Sequence, residues 1–206
     1  MKKTLQYKED ILLGNVEDKA NLKNPIARGM VRGFDNSLFE LIRRAQPRSM
    51  HEVGCGEGRL TYKIAEQFQI PMRATDLSLD IVEQKGDGDC AIDFVEKSIY
   101  DLSKAEDAAD VVICCEVLEH LKDPVQALQA LKGLEARCYI FSVPREPLWR
   151  FLNLCRGKYI SDLGNTPGHL NHWSKNKFLA LLQRYGFQVN VIKTPLPWVM
   201  VSCEIV

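Results

Sequence analysis

Residues 110–115 read Asp-Val-Val-Ile-Cys-Cys, an apolar run with no polar break after its first residue. A strand covered by helices on both faces shows this pattern, so 110–115 is expected to be a central strand of a parallel sheet. Shorter runs at 49–53, 71–75, 92–96 and 138–143 read as further strands, the last stopped by Pro144. Helical periodicity fills the intervals. Between 25 and 45 the apolar positions Ile26, Met30, Val31, Phe34, Leu38, Leu41 and Ile42 recur every three or four residues, and Pro25 suits a first turn. Gly29 and Gly33 weaken the first half of that helix. Further helices are predicted over 59–68, 77–84 and 123–134, with a turn at Gly86-Asp87-Gly88. Strands alternating with helices give an α/β fold, with a mostly parallel sheet between two helical layers. The tail breaks the alternation. A helix over 174–185 ends at Gly186, and strands at 187–192 and 198–206 follow with only Thr194-Pro195-Leu196-Pro197 between them. Two strands so joined form a hairpin, so at least one is antiparallel.

The strand at 49–53 runs into Gly54-Cys55-Gly56-Glu57-Gly58, and a helix opens directly after it. Glycines there let the chain turn sharply and let a ligand approach the main chain, with the first amides of the helix facing it. The spacing Gly-x-Gly-x-Gly differs from the Gly-x-Gly-x-x-Gly of dinucleotide binders. Asp76 ends the next strand, where an acidic side chain accepts from both hydroxyls of a ribose. Capping the helix at 77–84 is the other role open to it. The upstream glycine cluster favours the ribose.

Glu52-Val53-Gly54-Cys55-Gly56-Glu57-Gly58 resembles motif I of class I S-adenosylmethionine-dependent methyltransferases. Residues 109–121, Ala-Asp-Val-Val-Ile-Cys-Cys-Glu-Val-Leu-Glu-His-Leu, then Asp123-Pro124, resemble the fourth-strand motif of the small-molecule branch, the type 11, type 23 and ubiquinone-biosynthesis O-methyltransferase-like group. Gly168-His169-Leu170, Trp173-Ser174 and Gly186-Phe187 are similar to later segments of that group, so the resemblance spans residues 25–200. It implies a Rossmann-like three-layer sandwich, with a seven-stranded sheet in the order 3-2-1-4-5-7-6 and an antiparallel C-terminal hairpin strand. It implies a single methyltransferase domain over 1–206. The activity it implies is methyl transfer from S-adenosylmethionine to a small molecule at oxygen, leaving S-adenosylhomocysteine. The alternatives are a methyltransferase acting on a macromolecule and a non-catalytic binder of the cofactor.

At matching positions the resemblance implies that Gly54, Cys55, Gly56 and Gly58 pass under the cofactor with Glu52 near its methionine end, and that Asp76 and Leu77 meet the ribose. Ser98 and Ile99 would meet the adenine, Ser98 standing where the group usually has an acid. Cys115 and Glu116 would lie beside the sulfonium, at the carboxyl edge of the sheet. The sulfonium is an activated methyl donor, so the protein need only align the acceptor and take a hydroxyl proton. His120 and His169 are the catalytic candidates, with His172 a further one; orienting the loop after the fourth strand is the other role open to His120. Glu116, Glu119 and His120, at i, i+3 and i+4, fall on one face if that segment is helical. They resemble a divalent-metal site of some O-methyltransferases that a distant His, here His169 or His172, completes. An oxygen-rich set suits Mg2+ or Mn2+.

Lys plus Arg and Asp plus Glu both number 27, so the balance gives no chain-wide grip on nucleic acid. The fourth strand also lacks the Asp/Asn-Pro-Pro-Tyr and Pro-Cys signatures of base methylation. The seven cysteines are odd in number and several sit in apolar runs, so they read as reduced core residues. With no apolar run near the ~20 residues of a membrane span, a cytoplasmic location is the expectation. Oligomeric state stays open. Residues 1–24 are polar and read as an arm or lid, with Asn21, Asn24 and Arg28 near the cofactor carboxylate. Residues 147–173 read as an insertion covering the substrate. Leu148, Trp149, Phe151, Leu152, Leu154 and Tyr159 are its apolar lining and Arg150, Arg156 and Lys158 its anion contacts, with peripheral contact with lipid and plain packing on the sheet edge as the other readings.

Overall fold

The computed structural model describes residues 6–8, 11–13, 24–80, 82 and 91–206. Its main sheet has seven strands: β1 (Met50–Val53), β2 (Met72–Asp76), β3 (Ile92–Glu96), β4 (Val111–Cys115), β5 (Cys138–Pro144), β6 (Phe187–Lys193) and β7 (Trp198–Ile205). They lie in the order β3-β2-β1-β4-β5-β7-β6. The first five are parallel, and β7 runs antiparallel to both β5 and β6. This is the 3-2-1-4-5-7-6 order that the resemblance implied. Gln6–Lys8 and Ile11–Leu13 pair as a separate antiparallel ribbon.

All five β4 residues are buried, and their alternation feeds two cores. Val112 and Cys114 pack in a cluster with Leu128 and Leu131 of α4 (Pro124–Gly133) and Phe178 and Leu182 of α6 (Lys175–Arg184). Val111, Ile113 and Cys115 face a second cluster, with Phe34, Leu38, Leu41 and Ile42 of α1 (Pro25–Ala45) and Ile64 and Ala65 of α2 (Arg59–Phe68). β3 is an edge strand and is only partly covered.

α1 stays helical through Gly29 and Gly33. Asn24 caps it, accepting from the Ile26 amide at 2.9 Å, and its buried apolar stripe outweighs the glycine propensity. Asp35 ties α1 to α2. It holds the Arg59 guanidinium through both oxygens at 3.0 and 3.1 Å and Lys63 at 2.7 Å. The short helices α3 (Lys104–Asp107) and α5 (Leu148–Cys155) complete the described helices longer than one 3-10 turn.

The helix expected over 77–84 is not seen in its described part. Leu77 to Asp80 form a bend and a turn. The Ser78 amide donates to Asp76 Oδ1 and the Asp80 amide to Ser78 Oγ, both at 3.3 Å. Such i to i+2 side-chain bonds offer the backbone an alternative to the helix. Residues 81, 83 and 84, the turn at 86–88 and Cys90 lie outside the described residues, as do most of the arm at 1–24 and Asn21.

Candidate active site

A cavity of about 430 Å³ opens along the carboxyl edge of the parallel strands, within the ordinary range for small-molecule sites. One end is built from the loops after β1, β2, β3 and β4. Gly54 has φ 77, and its amide and that of Cys55 donate to the Thr75 carbonyl at 2.8 and 3.0 Å, folding the loop across β2. A Cβ on Gly54 would meet Val117 Cγ2 at 2.3 Å, whereas one on Gly56 would meet nothing within 4 Å. Thus Gly54 is needed for packing, and Gly56 presents bare backbone to the cavity. Asp76 Oδ2 accepts from the Gly56 amide at 2.7 Å, so the second loop braces the first. Burial raises its pKa against the hydrogen bonds from Gly56, Ser78 and Leu77. A carboxylate has about four lone-pair sites, so with three backbone donors in place, capacity for one ribose hydroxyl remains.

Glu52 is 2% exposed and accepts from the Thr61 hydroxyl at 2.5 Å. Burial pushes its carboxyl up to about 7, against the Thr61 bond and the Arg59 charge. Ser98 caps the 3-10 turn Ile99–Asp101, its hydroxyl accepting from the Tyr100 amide at 3.3 Å, and Ile99 lies behind it. Burial pushes the Cys55 and Cys115 thiols far up, which makes them inert walls rather than nucleophiles.

The other end is aromatic. Phe34 and Trp198 meet edge to face at 5.0 Å, Trp198 and Trp149 lie 5.6 Å apart, Trp149 and His169 5.8 Å, and His169 and His120 4.8 Å. These five rings form a continuous wall from α1 to the histidine pair, and all of them line the cavity. Both indole N–H groups are engaged by the protein: Trp149 donates to Thr166 Oγ1 at 2.9 Å and Trp198 to Glu116 Oε2 at 2.6 Å. Buried Asn153 fixes the loop behind Trp149 by donating to the Gly164 carbonyl at 2.9 Å and Thr166 Oγ1 at 3.1 Å. His120 Nδ1 lies 2.9 Å from the Gly168 carbonyl. A carbonyl only accepts, so Nδ1 carries the proton, and in the neutral ring Nε2 carries the lone pair.

Residues 51–134 match the protein family described as "Methyltransferase domain". Over these residues the chain is similar to methyltransferases of that family. It is 26% identical over 161 residues to a ubiquinone biosynthesis O-methyltransferase of Xanthomonas euvesicatoria, covering 71% of this chain and 66% of that protein. It is 29% identical over 122 residues to the Haemophilus ducreyi protein of the same name, covering 55% and 49%. The chain thus spans about half to two thirds of these relatives' length. Among solved structures, magnesium protoporphyrin IX methyltransferase from Synechocystis, with bound S-adenosylhomocysteine, superposes with a TM-score of 0.66 at 18% identity, over 90% of this chain and 89% of that one. That likeness concerns the fold.

Glu52, Gly54, Cys55, Gly56, Asp76, Leu77, Ser98, Ile99, Cys115, Glu116, His120 and His169 all line this same cavity. Gly58 does not. It caps α2 at φ 78, where a Cβ would meet Tyr62 Cε2 at 3.0 Å, so it serves helix entry rather than the cavity. Of the metal candidates, Glu116 turns to Trp198 and Ser142, and His172 Nε2 bonds Asn165 Oδ1 at 2.7 Å. Glu119, His120 and His169 come together instead, one ligand atom of each lying within 4.8 Å of the others. The physical reason is the backbone: Glu116 has φ 62 and the 3-10 turn begins only at Leu118, so Glu116 leaves the face it would share with Glu119 in a helix.

In the insertion, Trp149, Leu152, Tyr159 and Arg156 line the cavity, as does Asn24. Leu148, Phe151, Leu154, Arg150, Lys158 and Arg28 are not among its walls. Arg150 instead donates to the Leu163 carbonyl at 2.9 Å. Phe34, Asn153, Thr166 and Trp198 are walls that the sequence did not single out for the site. Phe34 and Trp198 sit in apolar elements and read as core.

Proposed function

We propose that this chain transfers the methyl group of S-adenosylmethionine to an oxygen of a small molecule bound against its aromatic wall. One observation carries the reading: a single cavity joins the motif I loop, Asp76 and Ser98-Ile99 at one end to two histidines at the other. The relatives' name, O-methyltransferase, points the same way.

The residues fit the cofactor. Gly56 offers open backbone, Asp76 retains acceptor capacity for ribose, and buried Glu52 supplies a carboxyl whose charged form an ammonium would favour. Ile99 and Ser98 offer an apolar face and a hydroxyl to an adenine. S-adenosylmethionine, when bound, supplies a methyl already activated on a sulfonium. The aromatic wall orients a flat acceptor and excludes water, and His120, with Nδ1 committed to Gly168, takes the hydroxyl proton at Nε2. Calorimetric titration tests the reading. S-adenosylmethionine and S-adenosylhomocysteine should bind, and Asp76→Ala should weaken both at least tenfold, about 1.4 kcal/mol. Folded protein that binds neither ligand refutes it.

A second reading rests on the Glu119, His120 and His169 cluster, which can hold a divalent ion. With two imidazoles and one carboxylate, the set suits Zn2+ or Mn2+ better than Mg2+. The Gly168 carbonyl on His120 Nδ1 is the kind of outer contact that orients a metal-bound imidazole. An ion there would polarise the acceptor hydroxyl, in place of proton removal by His120. Calorimetry of chelator-stripped protein with Zn2+ and Mn2+ decides it: binding that His169→Ala abolishes supports the ion, and no heat leaves the general-base role.

A further inference from the structure

The Thr166 hydroxyl accepts twice and has a proton left over. Thr166 is 7% exposed and lines the cavity. Its Oγ1 takes the Trp149 indole N–H at 2.9 Å and Asn153 Nδ2 at 3.1 Å. Both are donors. An indole nitrogen only donates. Asn153 Oδ1 accepts from the Arg156 guanidinium at 2.5 Å, and Nδ2 also donates to the Gly164 carbonyl at 2.9 Å, so the amide has one orientation. A hydroxyl has two acceptor sites and one proton. Both sites are filled here, and among the described residues the proton meets no acceptor. Buried polar groups are nearly all bonded, so a proton left over at a cavity wall points to a ligand.

Two further observations define that ligand. Arg156 lines the cavity at its exposed mouth, on the other side of the same Asn153 amide, so a cation stands beside the leftover proton. The second is a turn. The His169 amide donates to the Thr166 carbonyl at 3.1 Å, with Pro167 second and Gly168 third at φ 86, the pattern of a type II turn. The Gly168 carbonyl of that turn is the one that holds His120 Nδ1. One four-residue turn therefore sets both the Thr166 donor and the His120 ring. We propose, resting on the methyl-transfer reading above, that Thr166 is a specificity-determining residue: its hydroxyl donates to a carboxylate of the substrate, beside the Arg156 charge, while the substrate's own hydroxyl meets His120. The substrate class is a hydroxylated aryl carboxylic acid. A neutral carbonyl would meet the Thr166 proton alone. A carboxylate meets the proton and the charge together, and charge-assisted bonds are roughly twice as strong as neutral ones.

Calorimetric titration in the presence of S-adenosylhomocysteine tests this, with para- and meta-hydroxyphenylacetate set against para- and meta-cresol, which lack only the carboxylate. At least one acid should bind at least ~tenfold tighter than its cresol. Thr166→Ser keeps the hydroxyl and should keep that preference. Thr166→Val, of like shape, should erase most of it, and Arg156→Gln should lower it by a smaller factor. Thr166→Val also leaves two N–H groups unmet, so Arg156→Gln, at the exposed mouth, carries the test if Thr166→Val does not fold. The assignment is overturned if folded wild type prefers neither acid, if folded Thr166→Val keeps the preference, or if Arg156→Gln leaves it untouched. A preference for an acid by protein that binds no S-adenosylhomocysteine would support the Thr166 assignment and sink the methyltransferase reading. Cofactor binding without the preference would do the reverse, so the two fail separately.

Discussion

Gly54→Ala isolates the geometry on which the whole cavity depends. Two costs are built into the site. Gly54 sits at φ 77, where an L side chain costs about 1–2 kcal/mol. The new Cβ would also lie 2.3 Å from Val117 Cγ2, and overpacking of this kind costs about 1–3 kcal/mol. Together they amount to about 2–5 kcal/mol. The strain falls on the loop that carries Glu116 and His120, so cofactor affinity should drop along with stability. A second substitution separates the two costs. Val117→Ala removes both Cγ atoms and leaves only its Cβ, at an ordinary 3.4 Å. Gly54→Ala/Val117→Ala should therefore recover the steric part and keep the backbone part, within about 1–2 kcal/mol of Val117→Ala alone. Urea unfolding of the four proteins measures this, with S-adenosylhomocysteine titration alongside. The reasoning is refuted if Gly54→Ala is as stable as the wild type, or if Val117→Ala restores nothing to it.

Glu52 gives a pH dependence of definite sign. Its folded pKa of about 7 lies above the ordinary 4.5, so the stability it contributes is full below about 4.5 and is lost as pH rises through about 7. That is at most about 3 kcal/mol, and Glu52→Gln should remove that slope from the wild-type stability curve measured by urea unfolding. A curve in which Glu52→Gln keeps the full wild-type slope would assign the slope to other groups. Trp198 should answer to Glu116: Glu116→Gln keeps an acceptor for the indole, whereas Glu116→Ala leaves that N–H unmet at about 1.5–3 kcal/mol. The Trp198 indole proton, followed by NMR, should stay far downfield in wild type, shift modestly in Glu116→Gln and most in Glu116→Ala. An indole signal indifferent to both substitutions would mean the bond is not made in solution.

The sheet was legible in the sequence because its central strand is buried on both sides, and residues 111–115 cannot be written any other way. The motif I loop was legible because close backbone approach leaves glycine little competition at Gly54. What escaped notice depends on backbone direction. Trp198 opens an apolar strand and reads as core, and most of its strand is core. However, β7 runs antiparallel to β5, and Trp198 pairs with Pro144, the last residue of β5. An antiparallel strand brings its first residue to the edge where parallel strands bring their last. The hairpin order therefore delivers Trp198 to the carboxyl edge of the parallel strands, 82 residues from the Glu116 that holds it. The misplacement of Glu116 has a related cause. Spacing of i, i+3 and i+4 groups side chains only when every intervening residue is helical, and a left-handed Glu116 before a turn that starts at Leu118 breaks that condition. The same break frees Glu116 for Trp198 and leaves Glu119 and His120 to gather with His169, so one dihedral sends the two carboxylates to opposite ends of the aromatic wall.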